Sequence, residues 1–297
     1  ACFPFLSSPS FSPFFFFLFL FPLSLWFLLL SFFLLPVFCF VFGEKGIWMS
    51  FFHSISAFCN AGFDLMGINA KFSSLTSYVY HPLINIVIML LIVIGGIGFL
   101  TWEDVVVHRY HLKKYRVQTK LILLVTAVLI FVPALFFFCF EMKDLPISKR
   151  IWTALFQAIT PRTAGFNTID YSLLSEAGVG ITIFLMLIGG APGSTAGGMK
   201  TTTVAVLFAN VKSIFSQKKE TEILGRSIED ETIKKAATIL LMYVTLFFGG
   251  GVMMSVIEGL PMMTCLFETA SAVGTVGLTL GITPGLGIVS RIMLVFL

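Results

Sequence analysis

The stretch Thr163-Ala164-Gly165-Phe166 follows a short amphipathic run and has two counterparts in the chain. They are Asn60-Ala61-Gly62-Phe63 and Thr275-Val276-Gly277-Leu278, and each tetrapeptide lies between long apolar segments. Their glycines recur at intervals of roughly 100 to 112 residues, which indicates a coarse internal repeat. Each repeat reads as a helix, a re-entrant half-helix, an extended segment and a second helix. This plan is typical of an ion pore, in which backbone carbonyls replace the water around an ion.

The composition indicates an all-α polytopic membrane protein. The chain is 57% hydrophobic and only 11% charged, with a mean hydropathy of +0.98, whereas soluble domains have about 25% charged residues. Uncharged apolar runs lie at about 14–42, 82–101, 121–140, 177–191 and 236–257, and several are long enough to span a membrane. The net charge of +4 does not indicate a nucleic-acid partner, because the basic residues lie in loops between these runs.

The repeat divides the chain into four stretches. Residues 1–42 are an apolar, low-complexity segment without charge, which predicts a first helix over about 14–42 or else an error in the sequence. Residues 43–107 hold a pore loop and a second helix, 108–211 the next pore unit, and 212–297 the last unit. The final apolar run, from about residue 285 to 297, makes roughly 20 Å of helix, which is too short to cross a ~30 Å hydrocarbon core. We therefore expect the chain to stop within a helix.

Two basic loops predict the orientation. The stretches 108–120 and 212–235 hold eleven of the nineteen Lys and Arg residues, which places both on the cytoplasmic side of a cell membrane. An even number of crossings must then separate them, so the segment around 151–159 has to enter from outside and return. The same pattern recurs at 47–63 and 261–278. Non-helical backbone at this depth is tolerated only where it lines a water-filled cavity or is buried in protein.

The tetrapeptides have the chemistry of a cation filter. Glycine can turn a carbonyl toward a pore axis where other residues would be strained, and the C-terminus of a half-helix favours a cation. The alternative is that each glycine only allows close helix packing. Three copies at similar spacing favour the filter. The candidate ion-binding residues are Asn60, Ala61, Gly62, Phe63, Thr163, Ala164, Gly165, Phe166, Thr275, Val276, Gly277 and Leu278.

Residues 189–203 interrupt what would otherwise be one helix from about 177 to 211. The segment resembles a phosphate-binding loop, but Met199 separates the glycine from the lysine and an apolar helix precedes it, so that motif fails. A broken membrane helix at an ion site or gate fits better. The candidate gate residues are Gly189, Gly190, Pro192, Gly193, Ser194, Thr195, Gly197, Gly198 and Lys200.

Three further polar residues have competing interpretations. Arg162 could form an electrostatic barrier or a structural tie, and Lys200 is expected in the pore or its cytosolic vestibule because a buried charge is costly in a membrane. His53 is interpreted as a packing or hydrogen-bonding residue rather than a ligand. The sequence has no set of residues that indicates an enzyme or a metal site apart from the filter itself, and no cofactor is expected in this chain.

The strings 56–64, 95–100, 160–168, 189–203 and 271–284 resemble the Trk/Ktr/HKT superfamily of potassium transporters, most closely the KtrB-type membrane subunits of bacteria. The resemblance implies helix–pore-loop–helix units around a pseudo-fourfold pore, with residues 189–203 as an intramembrane gate. It also implies potassium as the substrate, with sodium as a candidate activator. The implied assembly is a homodimer on a cytosolic regulatory ring, and the nucleotide binds to that ring and not to this chain.

Some features depart from the family pattern. The three filter segments resemble the second, third and fourth of the family, and Arg291 lies too early to match the arginine of its final helix. We therefore expect a fragment that lacks the first unit. Sodium transport within the superfamily and a non-conducting remnant are the alternatives to potassium uptake.

Overall fold

A computed structural model describes residues 38–68, 73–218 and 220–297. The predicted helix over 14–42 lies outside these residues except for its last turn, since residues 38–42 are helical. The described part is almost entirely helical, as the composition predicts. In chain order, the main α-helices of the described residues are α1 Lys45–Phe58, α2 Pro82–Gly96, α3 Phe99–His108, α4 Val117–Phe136, α5 Ile147–Ile159, α6 Glu176–Leu187, α7 Thr201–Phe215, α8 Asp230–Glu258, α9 Met262–Val273 and α10 Ile288–Phe296.

Two of the described helices are long and apolar enough to cross a membrane: α8, and α4 together with its continuation to Glu141. The continuation, Phe137–Glu141, is a π-helical turn that follows Pro133. The helix α8 ends at Gly259, whose left-handed backbone (φ 66°) closes the last turn.

The apolar run at 82–101 is not one straight helix, which corrects the sequence-based expectation. The helix α2 ends at Gly96, and α3 leaves at an angle of 98° to it; only as a bent pair do the two have the length of a span. The bend lies at Gly98, which has a φ of 93°. A Cβ atom there would lie 2.7 Å from the carbonyl oxygen of Pro192, so the bend also needs the absence of a side chain.

The helices α1, α5 and α9 each precede one tetrapeptide, and each packs against a neighbouring apolar helix. The helix α1 lies against α2, α5 against α4 and α2, and α9 against α8 and α6. The buried apolar side chains form one cluster around α1, α2 and α5 and another around α6 and α9. This packing places the three tetrapeptides in one region of the molecule.

The basic stretch 212–235 contains a short hairpin that the sequence analysis did not predict. Strands β1 (Glu222–Ile223) and β2 (Arg226–Ser227) pair antiparallel. Leu224 and Gly225 connect them with φ values of 50° and 79°. Positive φ at both central residues is characteristic of a two-residue hairpin turn.

Candidate ion-binding site

The three tetrapeptides share one backbone conformation. Their first residues, Asn60, Thr163 and Thr275, have φ values of 52°, 66° and 54°, and their glycines have φ values of 71°, 78° and 89°. For β-branched threonine the left-handed region is a true outlier. Such strain costs about 1–3 kcal/mol per residue and persists only where the surrounding structure imposes it. The repeat found in the sequence is therefore also a repeat in backbone geometry.

The tetrapeptides touch one another in chain order. A Cβ atom on Gly62 would lie 2.5 Å from the carbonyl oxygen of Ala164 and 3.0 Å from the Cα atom of Gly165. A Cβ atom on Gly165 would collide with the carbonyl oxygen of Val276. No side chain fits at either glycine, because the neighbouring backbone occupies that space. The first tetrapeptide thus adjoins the second, and the second adjoins the third.

A hydroxyl group in the last turns of each preceding helix holds the tetrapeptide that follows. The hydroxyl of Ser56 donates to the carbonyl oxygen of Phe63 at 2.7 Å, and the hydroxyl of Thr160 donates to that of Phe166 at 2.7 Å. In the third repeat the hydroxyl oxygen of Ser271 instead accepts from the amide of Gly277 at 3.1 Å. These bonds attach each tetrapeptide to its own helix.

The carbonyl oxygens of the first three residues of each tetrapeptide accept no hydrogen bond from the described residues. These oxygens are at positions 60–62, 163–165 and 275–277. Asn60, Thr163, Ala164 and Val276 are buried, and buried backbone carbonyls are normally paired, so four unpaired ones in one place are unusual. The oxygens of Ala164 and Val276 lie at the contacts between neighbouring tetrapeptides. The cluster is chemically suited to a desolvated cation.

The glycine-rich segment, residues 189–203, contacts all three tetrapeptides. The hydroxyl of Thr195 accepts from Nδ2 of Asn60 at 2.9 Å and donates to the carbonyl oxygen of Phe58 at 2.8 Å. A Cβ atom on Gly198 would lie 3.4 Å from the Cγ2 atom of Thr163. A Cβ atom on Gly197 would collide with the side chain of Thr275. The segment therefore lies against the first residue of every tetrapeptide.

The same segment is fastened to the break between α2 and α3. The amide of Ala191 donates to the carbonyl oxygen of Gly96 at 2.9 Å, and the amide of Phe99 donates to that of Gly193 at 2.9 Å. The segment separates α6 from α7 at the position where the sequence predicts a broken helix. Backbone hydrogen bonds thus hold the two helix breaks together, a contact that no pattern in the sequence indicates.

The three other polar residues with competing interpretations differ in their burial and in their hydrogen bonds. Lys200 is part-buried, and its ammonium group donates to the carbonyl oxygen of Ala196 at 2.7 Å, inside the glycine-rich segment. Arg162 is 7% exposed and takes part in none of the ion pairs found among the described residues. His53 is fully buried, and both of its ring nitrogens are hydrogen-bonded.

The fourth residues of the tetrapeptides differ in burial. Phe166 and Leu278 are at most 1% exposed, and each packs in a core cluster that includes the preceding repeat. Phe63 is 70% exposed. At the other end of the row, a Cβ atom on Gly277 would meet nothing within 4 Å. The three tetrapeptides thus form an open arc within the described part of the chain.

The TrkH family of cation transport proteins matches residues 14–297. The chain belongs to this family. It is therefore a polytopic membrane protein of a transporter family and not an enzyme.

Relatives of known name agree with the family. The chain is 39% identical to the potassium/sodium uptake protein NtpJ of Enterococcus hirae over 85% of this chain and 57% of that protein. It is 41% identical to the Ktr system potassium uptake protein B of Bacillus subtilis over 82% of this chain and 55% of that protein. The chain thus spans somewhat more than half the length of these curated relatives.

The fold also resembles a solved structure. The crystal structure of the potassium transporter TrkH from Vibrio parahaemolyticus matches with a TM-score of 0.65 over 86% of this chain and 55% of that chain. At 19% sequence identity this likeness bears on the fold alone.

Proposed function

We propose that this chain supplies three of the pore segments of a potassium uptake protein. The observation that carries the proposal is the row of adjoining tetrapeptides with one strained backbone and unpaired carbonyl oxygens. The sign of φ alternates along each tetrapeptide, which tends to turn successive carbonyl groups to the same side. The ion-binding residues are those of 60–63, 163–166 and 275–278, acting through backbone oxygens.

Potassium is the first candidate substrate. Two observations support it: the filter glycines, and the names of relatives that are potassium or potassium/sodium uptake proteins. Sodium is the second candidate, because the relative from E. hirae is named for both ions. Sodium could also act as an activator. No cofactor is proposed for this chain.

Residues 189–203 are proposed as the gate. The segment contacts the first residue of each tetrapeptide, where an ion leaving the filter would pass. It contains five glycines and a proline, which disfavour a regular helix. It is nevertheless tied by backbone hydrogen bonds to the bend at Gly98, so movement of α3 would reach the filter through this segment.

The orientation and the partners are proposed from the charge distribution and from the resemblance to the Trk/Ktr/HKT superfamily. The basic stretches 108–120 and 212–235 are proposed to face the cytoplasm, since cytoplasmic loops carry the excess of Lys and Arg. A homodimer on a cytosolic nucleotide-binding regulatory ring is the proposed assembly in the cell membrane. Both basic stretches are on the side that such a ring would contact.

The experiment that tests this function is cation uptake in bacteria that lack their own potassium uptake systems. It uses a protein of the length of the curated relatives that contains this chain, called here the full-length protein. We expect growth at low potassium and potassium influx that exceeds sodium influx. Sodium influx above potassium influx would favour the second candidate. Absence of influx of either ion from protein present in the membrane would contradict the proposal and would favour a non-conducting remnant.

A further inference from the structure

Each helix that precedes a tetrapeptide carries one large polar side chain at the same place. The three residues are His53 on α1, Gln157 on α5 and Glu268 on α9, and each lies three positions before the hydroxyl residue that holds its tetrapeptide. All three are buried, with exposures of 0%, 0% and 4%. Burial of a polar side chain is costly unless the side chain is hydrogen-bonded. The hydrogen-bond partners of these three residues therefore indicate what the residues hold in place.

The partners are equivalent in all three repeats. Each side chain bonds the residue three positions after the tetrapeptide's glycine. Nε2 of His53 accepts from the amide of Leu65 at 3.2 Å. Nε2 of Gln157 donates to the hydroxyl of Thr168 at 2.8 Å. A carboxylate oxygen of Glu268 accepts from the amide of Leu280 at 3.0 Å.

The three contacts differ in strength. Nδ1 of His53 bonds the carbonyl oxygen of Met49 at 2.6 Å, so a neutral ring with its proton on Nδ1 satisfies both of its bonds. Glu268 makes the most bonds, because it also accepts from the hydroxyls of Thr279 at 2.6 Å and Thr283 at 2.8 Å. Each net hydrogen bond contributes about 0.5–1.5 kcal/mol, so the number of bonds decides which repeat is held best. The third repeat is therefore held most firmly.

Each tetrapeptide is consequently fixed at two points. A hydroxyl in the last turns of the helix holds it near the glycine or the fourth residue, and the polar side chain holds the chain just beyond. The unpaired carbonyl oxygens, at positions 60–62, 163–165 and 275–277, lie between the end of the preceding helix and the second of these points. Their positions therefore depend on the two anchors and on contact with the neighbouring tetrapeptide.

We infer that His53, Gln157 and Glu268 are positioning residues that set the spacing of the filter carbonyls and thereby the preference among alkali cations. The inference rests on the proposed function, because it assigns the spacing to a filter. These side chains act through the backbone and do not touch the ion. Glu268 has the largest effect, since it fixes residues 279, 280 and 283 together.

The first test compares Glu268→Gln and Glu268→Ala in the full-length protein. The measurement is the ratio of rubidium to sodium influx, with the protein in the membrane quantified in parallel. We expect Glu268→Ala to lower this ratio about two- to tenfold, the equivalent of one net hydrogen bond, and Glu268→Gln to fall between it and the wild type. The matched control is Thr269→Val, which removes a buried hydroxyl bonded only within α9 and to α8.

The second test uses the pair in the second repeat. Gln157→Leu and Thr168→Val each remove one side of the same bond, so their effects on the influx ratio are expected to be non-additive in the double variant. The matched control is Thr153→Val, whose hydroxyl bonds Lys149 in its own helix and not the filter segment. This cycle remains informative even if the Glu268 variants do not reach the membrane.

Two outcomes would overturn the inference. One is an unchanged ratio of rubidium to sodium influx, with total influx falling only in proportion to the amount of protein in the membrane. This result would mean that the residues have a structural role only. The other is additivity of Gln157→Leu and Thr168→Val. The proposed function fails in a different way, because the wild-type protein would then show no selective influx at all.

Discussion

At the scale of single residues, the site depends on backbone conformations that the side chains would normally avoid. Thr163 and Thr275 adopt left-handed φ values although they are β-branched. Gly165 has a φ of 78° and faces the carbonyl oxygen of Val276 at a distance that excludes a side chain. The strain and the close approach occur together at the unpaired carbonyls, where strain is most often part of function.

We expect Gly165→Ser to damage selectivity before it damages expression. The left-handed backbone costs an L residue about 1–2 kcal/mol, and the added side chain would push the second tetrapeptide from the third. The ratio of potassium to sodium influx should fall about tenfold or more, which corresponds to about 1.4 kcal/mol. The control is Gly180→Ala on α6, where a Cβ atom would meet open space. A wild-type ratio of potassium to sodium influx in Gly165→Ser would show that this glycine is not part of the filter.

The tetrapeptides and His53 could be singled out from the sequence, but the roles of Gln157 and Glu268 could not. The tetrapeptides could be found because a small residue followed by glycine and a large apolar residue recurs after each amphipathic run. The polar residues could not, because they are three different residue types. Their equivalence becomes visible only through their bonds to Leu65, Thr168 and Leu280, which lie on the returning chain.

At the scale of elements, the glycine-rich segment joins two helix breaks to the filter. The break after α6 was predictable from its glycines and proline. The break at Gly98 was not predictable, because the apolar run 82–101 has the length of a single span. The glycines of Gly95-Gly96-Ile97-Gly98 were the one indication of a bend in that run. The reason for that bend is a distant partner: the carbonyl oxygens of Pro192 and Gly193 approach Gly98 and Phe99.

We expect Thr195→Val to raise potassium influx about two- to tenfold and to make it less dependent on cytosolic regulation. The change removes the hydroxyl that bonds Asn60 and Phe58 in the conformation that we propose to be closed, and each lost bond destabilises it by about 0.5–1.5 kcal/mol. The control is Thr182→Val, which removes a buried hydroxyl that bonds Gly178 within α6 and lies outside the proposed gate. Decreased influx from normally inserted Thr195→Val protein would instead indicate a static ion-binding element.

At the scale of the whole molecule, the three tetrapeptides form an arc with two free edges. Phe63 is 70% exposed at one edge, while Gly277 faces open space at the other. The corresponding residues inside the arc, Phe166 and Leu278, are buried against the preceding repeat. A further segment with the same backbone would fill the gap between the edges, as the resemblance to a pseudo-fourfold pore implies.

We expect the 297-residue chain alone, reconstituted in liposomes, to show no potassium flux above that of empty vesicles. Three tetrapeptides leave polar backbone facing lipid, where it has no water to bond. The positive control is the full-length protein in the same vesicles. Selective flux from the chain alone would show that residues 1–37 or a second copy closes the arc.

The most direct test of the central claim is to locate thallium, a heavy substitute for potassium, by anomalous diffraction from crystals of the full-length protein. We predict thallium peaks in a row on the axis between residues 60–63, 163–166 and 275–278, within bonding distance of their backbone oxygens. These peaks should weaken in Gly165→Ser. Ordered density for all three tetrapeptides without thallium between them, with the ion bound elsewhere in the protein, would contradict the account.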